Sequence, residues 1–429
     1  MKNYSKLRIS EYMIPIIIIL IIIASFYFQP LAILGLVVGT IYVLKKNTTC
    51  EYGLLLCLLP FAQVFKYSAS STSLFTVLEI VIIVKHFLIT SKVSKRYFIL
   101  VFGYPLLIFM TSMISGNIDL LKIIKMFVSL SLLYFFIDGY QKEDIQIYST
   151  LYSVGLICAS VVGLFKKSIP GLAAMYTDAN TQYINGATVT RFSATFTDPN
   201  YYSLAVIVAL GFLICVICCG INMKSNLFFC VVLTLFGLRT YSKSFILMLI
   251  ILLIISLILL IVNGKVGWTT VLLIVGIFIL SSGVLSRIEV VQALISRFST
   301  ITNVNDLTTG RNEIWSMYLD YILSNPRVIC IGDGIGAAYI QKAMHNIYIE
   351  IWYYVGILGG LLYIITLGGI LHHRTIVFRK NSVNYFLIVV VAFMYSFLCG
   401  FTAFEFSFYM MICWIVINTE LIRNKRLEL

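Results

Sequence analysis

The sequence predicts an all-α integral membrane protein of about 12–14 transmembrane helices, and three observations carry that prediction. Hydrophobic residues fill 60% of the 429 positions and charged residues only 11%, with a mean hydropathy of +0.98. The apolar residues are gathered into long runs separated by short polar gaps. Lys and Arg recur in alternate gaps, the pattern of cytoplasmic loops in multi-span proteins. The net charge of +13 raises the question of nucleic acid. The basic residues sit in short clusters between apolar runs, however, with no basic face or aromatic platform, so no nucleic-acid partner is expected.

Long apolar runs lie near 12–28, 73–90, 97–115, 117–137, 146–165, 199–219, 244–262, 266–285, 346–371, 383–402 and 405–422. Shorter ones lie near 31–44, 50–65 and 226–238. A helix rises ~1.5 Å per residue, so ~20 residues cross a ~30 Å hydrocarbon core, and the shorter runs tilt or re-enter. No repeat, low-complexity tract or soluble module interrupts the pattern, and residues 1–429 are expected to form a single polytopic membrane domain.

The amino-terminal MKNYSKLR has the basic character of a signal peptide, but a long apolar run without a small-residue cleavage site follows it. An uncleaved anchor with its amino terminus inside is expected. Alternate gaps then place Lys45 and Lys46, Lys92, Lys95 and Arg96, Lys142, Lys224, Lys265, and Arg374, Arg379 and Lys380 in the cytoplasm, followed by RNKR at 423–426. Two longer polar segments, about 166–198 and 286–345, fall on the opposite face and would carry an extracytoplasmic site, the second containing short amphipathic helices.

Most of the ten cysteines, including Cys215, Cys218 and Cys219, lie within apolar runs, where packing explains them better than metal or redox chemistry. Cys330 alone falls in an outer loop, so no disulfide joins the two. No metal and no cofactor are expected.

Three polar stretches stand out. In TTGRNEIW, Gly310 precedes Arg311 and Glu313, and Ile314, Met317, Tyr318 and Tyr321 recur at helical spacing until SNP at 324–326 stops the run. Arg311 is either a solvated charge beside an interfacial Trp315 or an anion contact. Its place in a first helical turn favours the anion, because unpaired backbone N–H groups collect there and the dipole disfavours a cation with no anionic partner. Trp315, one turn on, would stack on a sugar face or on lipid. In RFSATFTDPNYYS, Asp198 and Pro199 read as helix cap and first-turn residue, while Arg191 has no such structural explanation. In MHNIYIEIWYYVGILGG, His345 sits where the chain re-enters the membrane, with Tyr348 and Trp352 on its helical face. Gly356 and Gly360 read as a close helix-packing face.

These stretches, with TYSKSFIL at 240–247 and IGDGIG at 331–336, resemble in order and spacing the O-antigen ligase/polymerase superfamily of bacterial envelope glycosyltransferases. The resemblance covers residues from about 190 to 370, the flanking thirds agreeing only in hydrophobicity. It implies a GT-C-like enzyme in the bacterial plasma (inner) membrane with its site facing the periplasm or cell exterior. A polymerase of this kind moves glycan from a polyprenyl diphosphate carrier to the next lipid-linked repeat unit, whereas a ligase delivers it to lipid A core. It further implies lipid-linked oligosaccharide donor and acceptor, the lipid bilayer, and a chain-length regulator and a flippase as partners. Matching the family's motifs makes Arg191 and Arg311 the diphosphate contacts, His345 the base for the acceptor hydroxyl, and Asp198 and Asn200 the DPN element shaping the first loop. Where relatives often carry serine-arginine, this chain has Ser242 and Lys243. Lys243 would be a weaker contact without bidentate geometry, or Arg239 would substitute. Glu350 and Asp198 are alternative bases.

A polysaccharide flippase or other transporter would also be basic and many-spanned, but it should concentrate ionisable residues at the midplane. Here Glu79, Lys122 and Lys125 lie within spans, while the polar residues gather in the outer loops. Of the two transferases, the polymerase is favoured, because high Ile, Phe, Tyr and Asn usage and divergent flanks suit a glycan-specific enzyme.

Overall fold

The computed structural model describes residues 9–68, 71–89, 98–139, 145–173, 181–184, 187–218, 222–262, 292, 310–340, 344 and 346–372. These residues are mostly helical. The apolar runs become α1 (Ile9–Ser25), α2 (Pro30–Lys45), α3 (Thr48–Leu58), α4 (Leu74–Ile89), α5 (Gly103–Ser115), α6 (Leu120–Gly139) and α7 (Ile145–Leu164). After the short α8 (Pro170–Ala173) and two strands come α9 (Pro199–Cys218), α10 (Met223–Leu238) and α11 (Lys243–Val262). Then follow α12 (Arg311–Ser324), α13 (Pro326–Ile331) and α14 (Ile347–His372). The expected spans at 266–285, 383–402 and 405–422 lie outside the described residues.

Among the described residues, two stretches, Gln146–Leu164 and Ile347–Thr366, are long and apolar enough to cross a membrane. Shorter apolar helices surround them, including Pro30–Lys45 and Pro199–Ile214. The outer surface is strongly apolar. Leu20, Ile33, Leu106, Leu235, Leu253 and Ile364 all point outward, and Leu88 is 82% exposed.

α7 is the central post, packing against α3, α9 and α10. Its small residues make this possible: a Cβ on Gly155 would lie 2.1 Å from the Cys57 carbonyl oxygen, so no side chain fits between α7 and α3. Several polar groups buried here are paired internally, which offsets the cost of apolar surroundings. The Tyr52 hydroxyl donates to the Leu132 carbonyl at 2.7 Å, and Ser160 Oγ and the Tyr202 hydroxyl share a hydrogen bond of 2.6 Å between α7 and α9. At one end of α3, buried Glu51 is paired with Lys85 through Oε1 and lies 2.9 Å from His86 Nε2 through Oε2, locking α4 to α3.

Two expectations are corrected. The chain is not wholly helical, because β1 (Thr181–Ile184) and β2 (Ala187–Thr190) pair antiparallel in the first polar loop. The residues of TQYI and ATVT are rich in β-branched and aromatic types and flank Asn185 and Gly186, the dipeptide that favours tight hairpins. Gly356 is not simply a packing position on a continuous helix. It interrupts α14 at φ 66°, ψ −176°, and a Cβ there would lie 2.4 Å from the Cys330 carbonyl carbon. The contact forces backbone against backbone, and only glycine reaches that conformation without strain.

Candidate anion site

The first polar loop leads from β2 directly into Arg191 and is seated on the carboxyl end of α7. A Cβ on Gly163 would lie 2.4 Å from Ala194 Cα, and Ala194 takes φ 47° to make the approach. Two polar contacts hold the loop from the other side. Thr195 Oγ1 donates to the Pro60 carbonyl at 2.5 Å, and the Thr197 N–H donates to Gln63 Oε1 at 3.1 Å. Asp198 caps α9 as expected, its Oδ1 accepting the Asn200 N–H at 2.7 Å.

The loop then pairs with the turn between α10 and α11. The Phe192 N–H donates to the Arg239 carbonyl at 3.0 Å, and the Arg239 guanidinium lies 5.6 Å from the centre of the Phe192 ring. Arg191 reaches the same turn: its Nε donates to the Thr240 carbonyl at 3.0 Å and its Nη2 to Asn200 Oδ1 at 3.1 Å. Ser242 Oγ donates to that same Asn200 oxygen at 3.1 Å. The DPN element, the arginine and the serine of the TYSK segment are thus one hydrogen-bonded unit. Tyr241 takes φ 50° within it; with Ala194, two of the three positive-φ non-glycine residues among those described flank this site. Such backbone costs about 1–3 kcal/mol each and concentrates at functional sites.

Between these pieces lies a cavity of about 180 Å³, lined by Gly163, Leu164, Lys166, Lys167, Thr190, Arg191, Phe192, Ser193, Arg239 and Tyr241. Four of the lining residues are basic and none is acidic. Lys166 was expected only to mark the boundary of a loop. It is instead buried, 5% exposed, with Nζ donating to Ser193 Oγ at 2.8 Å and to the Phe196 carbonyl at 2.6 Å. Burial pushes its ammonium down to about 8. The sequence signal for Lys166 was present but weak: a lysine pair directly after a span also marks an ordinary membrane boundary. Arg239 lines the cavity, and Lys243, the first residue of α11, does not.

The second polar segment builds a separate cluster. α12 begins at Arg311 after Gly310 in the left-handed conformation, and Ser324 ends it before Pro326 starts α13. Tyr318 and Ile322 form its buried face, while Met317 points outward. Trp315 donates from Nε1 to the Met344 carbonyl at 2.7 Å, and the Tyr318 hydroxyl donates to the Ile340 carbonyl at 3.1 Å. Through this bond the Trp315 ring edge ties α12 to the segment before α14. His345 lies outside the described residues, but Trp315 binds its immediate neighbour. Asn346 caps α14 through Oδ1, which accepts the Tyr348 and Ile349 N–H groups at 3.0 and 3.2 Å. Tyr348 is exposed and Glu350 is buried in the first turn.

Asp333 is the hub beneath them. It accepts from Arg327 at 2.6 Å, from the Tyr321 hydroxyl at 3.0 Å and from the Tyr353 hydroxyl at 3.4 Å. Burial and this carboxylate together hold the Tyr321 phenol above its usual range. Gly332 and Gly334, both at positive φ, let the IGDGIG segment thread between α14 and α5. Asn117 Nδ2 donates to the Asp333 carbonyl at 2.9 Å, and Lys122 Nζ donates to the Ile335 carbonyl at 3.2 Å while lying 5.3 Å from the Tyr354 ring centre. Lys122 is thus a loop anchor rather than an isolated charge within a span.

The contacts that build the two clusters share no residue: Arg191, Arg239, Asn200 and Asp198 belong to the first, and Arg311, Trp315, Tyr348 and Glu350 to the second. Cys330 is a free, exposed thiol. Among the described residues, no group of acidic, His and Cys side chains could hold a metal ion.

No protein-family model, curated protein or solved structure matches this chain. Its chemistry is therefore argued from the cavity itself. Four cations with no acid among the lining residues create a positive potential in a partly buried setting, where charge is screened far less than in water. Arginine and lysine donors of this kind suit a multiply charged oxyanion.

Proposed function

We propose that this chain is a bacterial membrane glycosyltransferase that polymerises a surface polysaccharide. It takes glycan from a polyprenyl diphosphate carrier and extends a lipid-linked repeat unit at the outer face of the plasma membrane. The observation that carries the reading is the cavity ringed by Lys166, Lys167, Arg191 and Arg239 at the end of α7. Negative charge develops on the diphosphate as the anomeric bond breaks, and preorganised cations at a water-poor boundary stabilise that charge. The outward-facing apolar side chains support a lipid surround, since a soluble protein rarely shows such extensive apolar surface. The joining of Arg191, Asn200 and Ser242 into one unit is consistent with the motif order that suggested the family. In this reading Arg311 meets the donor or acceptor from the second segment and His345 takes the acceptor hydroxyl proton.

The test is reconstitution of the full-length protein in lipid with a polyprenyl-diphosphate-linked repeat unit as both donor and acceptor. A ladder of longer lipid-linked chains is expected. Transfer only to added lipid A core would make it a ligase. Movement of the lipid-linked unit across the bilayer without covalent change would make it a flippase.

A further inference from the structure

Two buried carboxylates among the described residues sit beside cations. Glu51 has Lys85 and His86, and Asp333 has Arg327 with two tyrosines. Lys166 breaks the pattern. Its ammonium is more deeply buried than Lys85 or Arg327, yet its partners among the described residues are one hydroxyl and one carbonyl, and neither carries charge. Taking an ammonium out of water costs several kcal/mol unless an opposite charge compensates it. An ammonium has three N–H donors, and the two contacts use two of them.

We infer that Lys166 is the buried ligand-facing cation of the proposed donor cavity, and that the counter-charge it lacks among the described residues is a diphosphate oxygen. This rests on the reading of the cavity given above and adds a residue and a specificity to it. A buried ammonium supported by Ser193 and Phe196 is a fixed point charge, whereas Lys167 and Arg239 at the exposed rim are screened by solvent. Lys166 therefore contributes most to holding the anion, and the rim residues to attracting it.

The assignment has a proton signature. The groups facing Lys166 are Lys167 on its own segment, Arg191 from the first loop, and Arg239 and Tyr241 from the α10–α11 turn. Burial disfavours its charge and leaves it near 8. A bound anion reverses the balance. Above pH 8 the empty site is partly neutral, so binding takes up a proton at Lys166 Nζ; well below pH 7 the amine is already charged and no uptake occurs.

The experiment is calorimetric titration of inorganic diphosphate into the purified full-length protein in detergent, at pH 6.5 and 8.5, each in two buffers of different ionisation enthalpy. Protonation of diphosphate itself is common to all variants and cancels in their difference. Wild type is expected to take up more protons than Lys166→Gln at pH 8.5 and the same number at pH 6.5. Lys166→Gln, which retains a donor to Ser193 or Phe196, should bind roughly ten- to a hundred-fold more weakly, the size of a lost charged hydrogen bond. Lys166→Arg provides a second variant with a fixed charge, expected to bind diphosphate without the extra uptake. Affinity and uptake in Lys166→Gln equal to wild type would overturn the role of Lys166 while leaving the cavity as a diphosphate site. No binding by wild type at either pH would overturn the donor-site reading and this inference together.

Discussion

Arg191 and Ser242 both donate to one oxygen, Oδ1 of Asn200, at 3.1 Å each. That shared acceptor joins the first polar loop to the start of α11 and fixes the direction of the guanidinium that the proposed mechanism uses. Asn200→Ala removes the acceptor and should lower turnover of a lipid-linked substrate roughly tenfold or more, the scale of one charge-assisted hydrogen bond. Asn200→Asp should instead weaken substrate binding, because a carboxylate beside Arg191 competes with the diphosphate for the same cation. Steady-state kinetics distinguish the two: a rise in KM with kcat preserved in Asn200→Asp is expected, and wild-type kinetics in both variants would remove Asn200 from the site.

Lys166 also predicts how the empty protein responds to pH. Its folded value near 8 lies below the unfolded value near 10.5. The unfolded chain therefore binds more protons between the two, and stability rises with pH across that window. Below pH 8 the amine is charged in both states and the full burial penalty remains. Relative to Lys166→Met, wild type should gain thermal stability from pH 8 to 10.5, measured by melting in detergent. A difference that stays flat across that range would contradict the burial argument.

Arg311→Lys keeps charge but loses the planar fork, and Arg311→Ala loses both. Turnover is expected to fall roughly 100- to 1,000-fold in the alanine variant, the usual loss for one transition-state charge contact. The lysine variant should retain only a small part of the activity at normal membrane abundance. His345→Gln should remove most of the rate and also the acidic limb expected below about pH 6.5 for an imidazole base. Survival of that limb in His345→Gln would transfer the role to Glu350 or Asp198.

Gly356→Ala is a stability prediction. The added methyl meets the Cys330 backbone at φ 66°, so the change combines backbone strain with a collision that no rotamer relieves. A loss of several kcal/mol is expected, in the exceptional range for single substitutions. At Gly360 the nearest atom is the flexible Ile351 Cγ2 at 3.3 Å, and Gly360→Ala should be far milder. Yield of folded protein on gel filtration compares the two directly.

The orientation of the loops is open to labelling. In a cysteine-free background, single cysteines at Thr181 and Thr302 should both react with a membrane-impermeant maleimide in intact cells, after permeabilising any outer membrane. Labelling of one alone would separate the two polar segments onto opposite faces and end the idea of a site formed from both.

The helices could be read from the sequence because a run of apolar residues needs no partner to reveal it. Thus α4, α7 and α11 lie within a few residues of the runs at 73–90, 146–165 and 244–262. The Asp198 cap and the end of α12 at Ser324 were equally local signals. The hairpin was missed although Asn185-Gly186 lay between two β-rich tetrapeptides, because the surrounding apolar runs dominated the reading. Gly356 and Lys166 could not have been placed from spacing alone. The need for glycine appears only when Cys330 packs against it, and the setting of Lys166 only when its hydrogen-bond acceptors prove to be a hydroxyl and a carbonyl. That Arg239 lines the cavity and Lys243 does not likewise depends on the turn at Tyr241.

The hook between Asn117 and Asp333 spans 216 positions of chain. Ser112 and Ser115, which bind Ile335 and Gly332, sit beside it on the first-made part of the molecule. A ribosome adds about 5–20 residues per second, so α5 waits on the order of ten seconds or more for the segment that completes it. During that interval Ser112, Ser115 and Asn117 must be satisfied by water, lipid headgroups or the insertion machinery. The second polar cluster is therefore a late product of biogenesis, and a ribosome stalled before residue 332 would leave a protein with its first loop in place and the polar end of α5 without the segment that binds it.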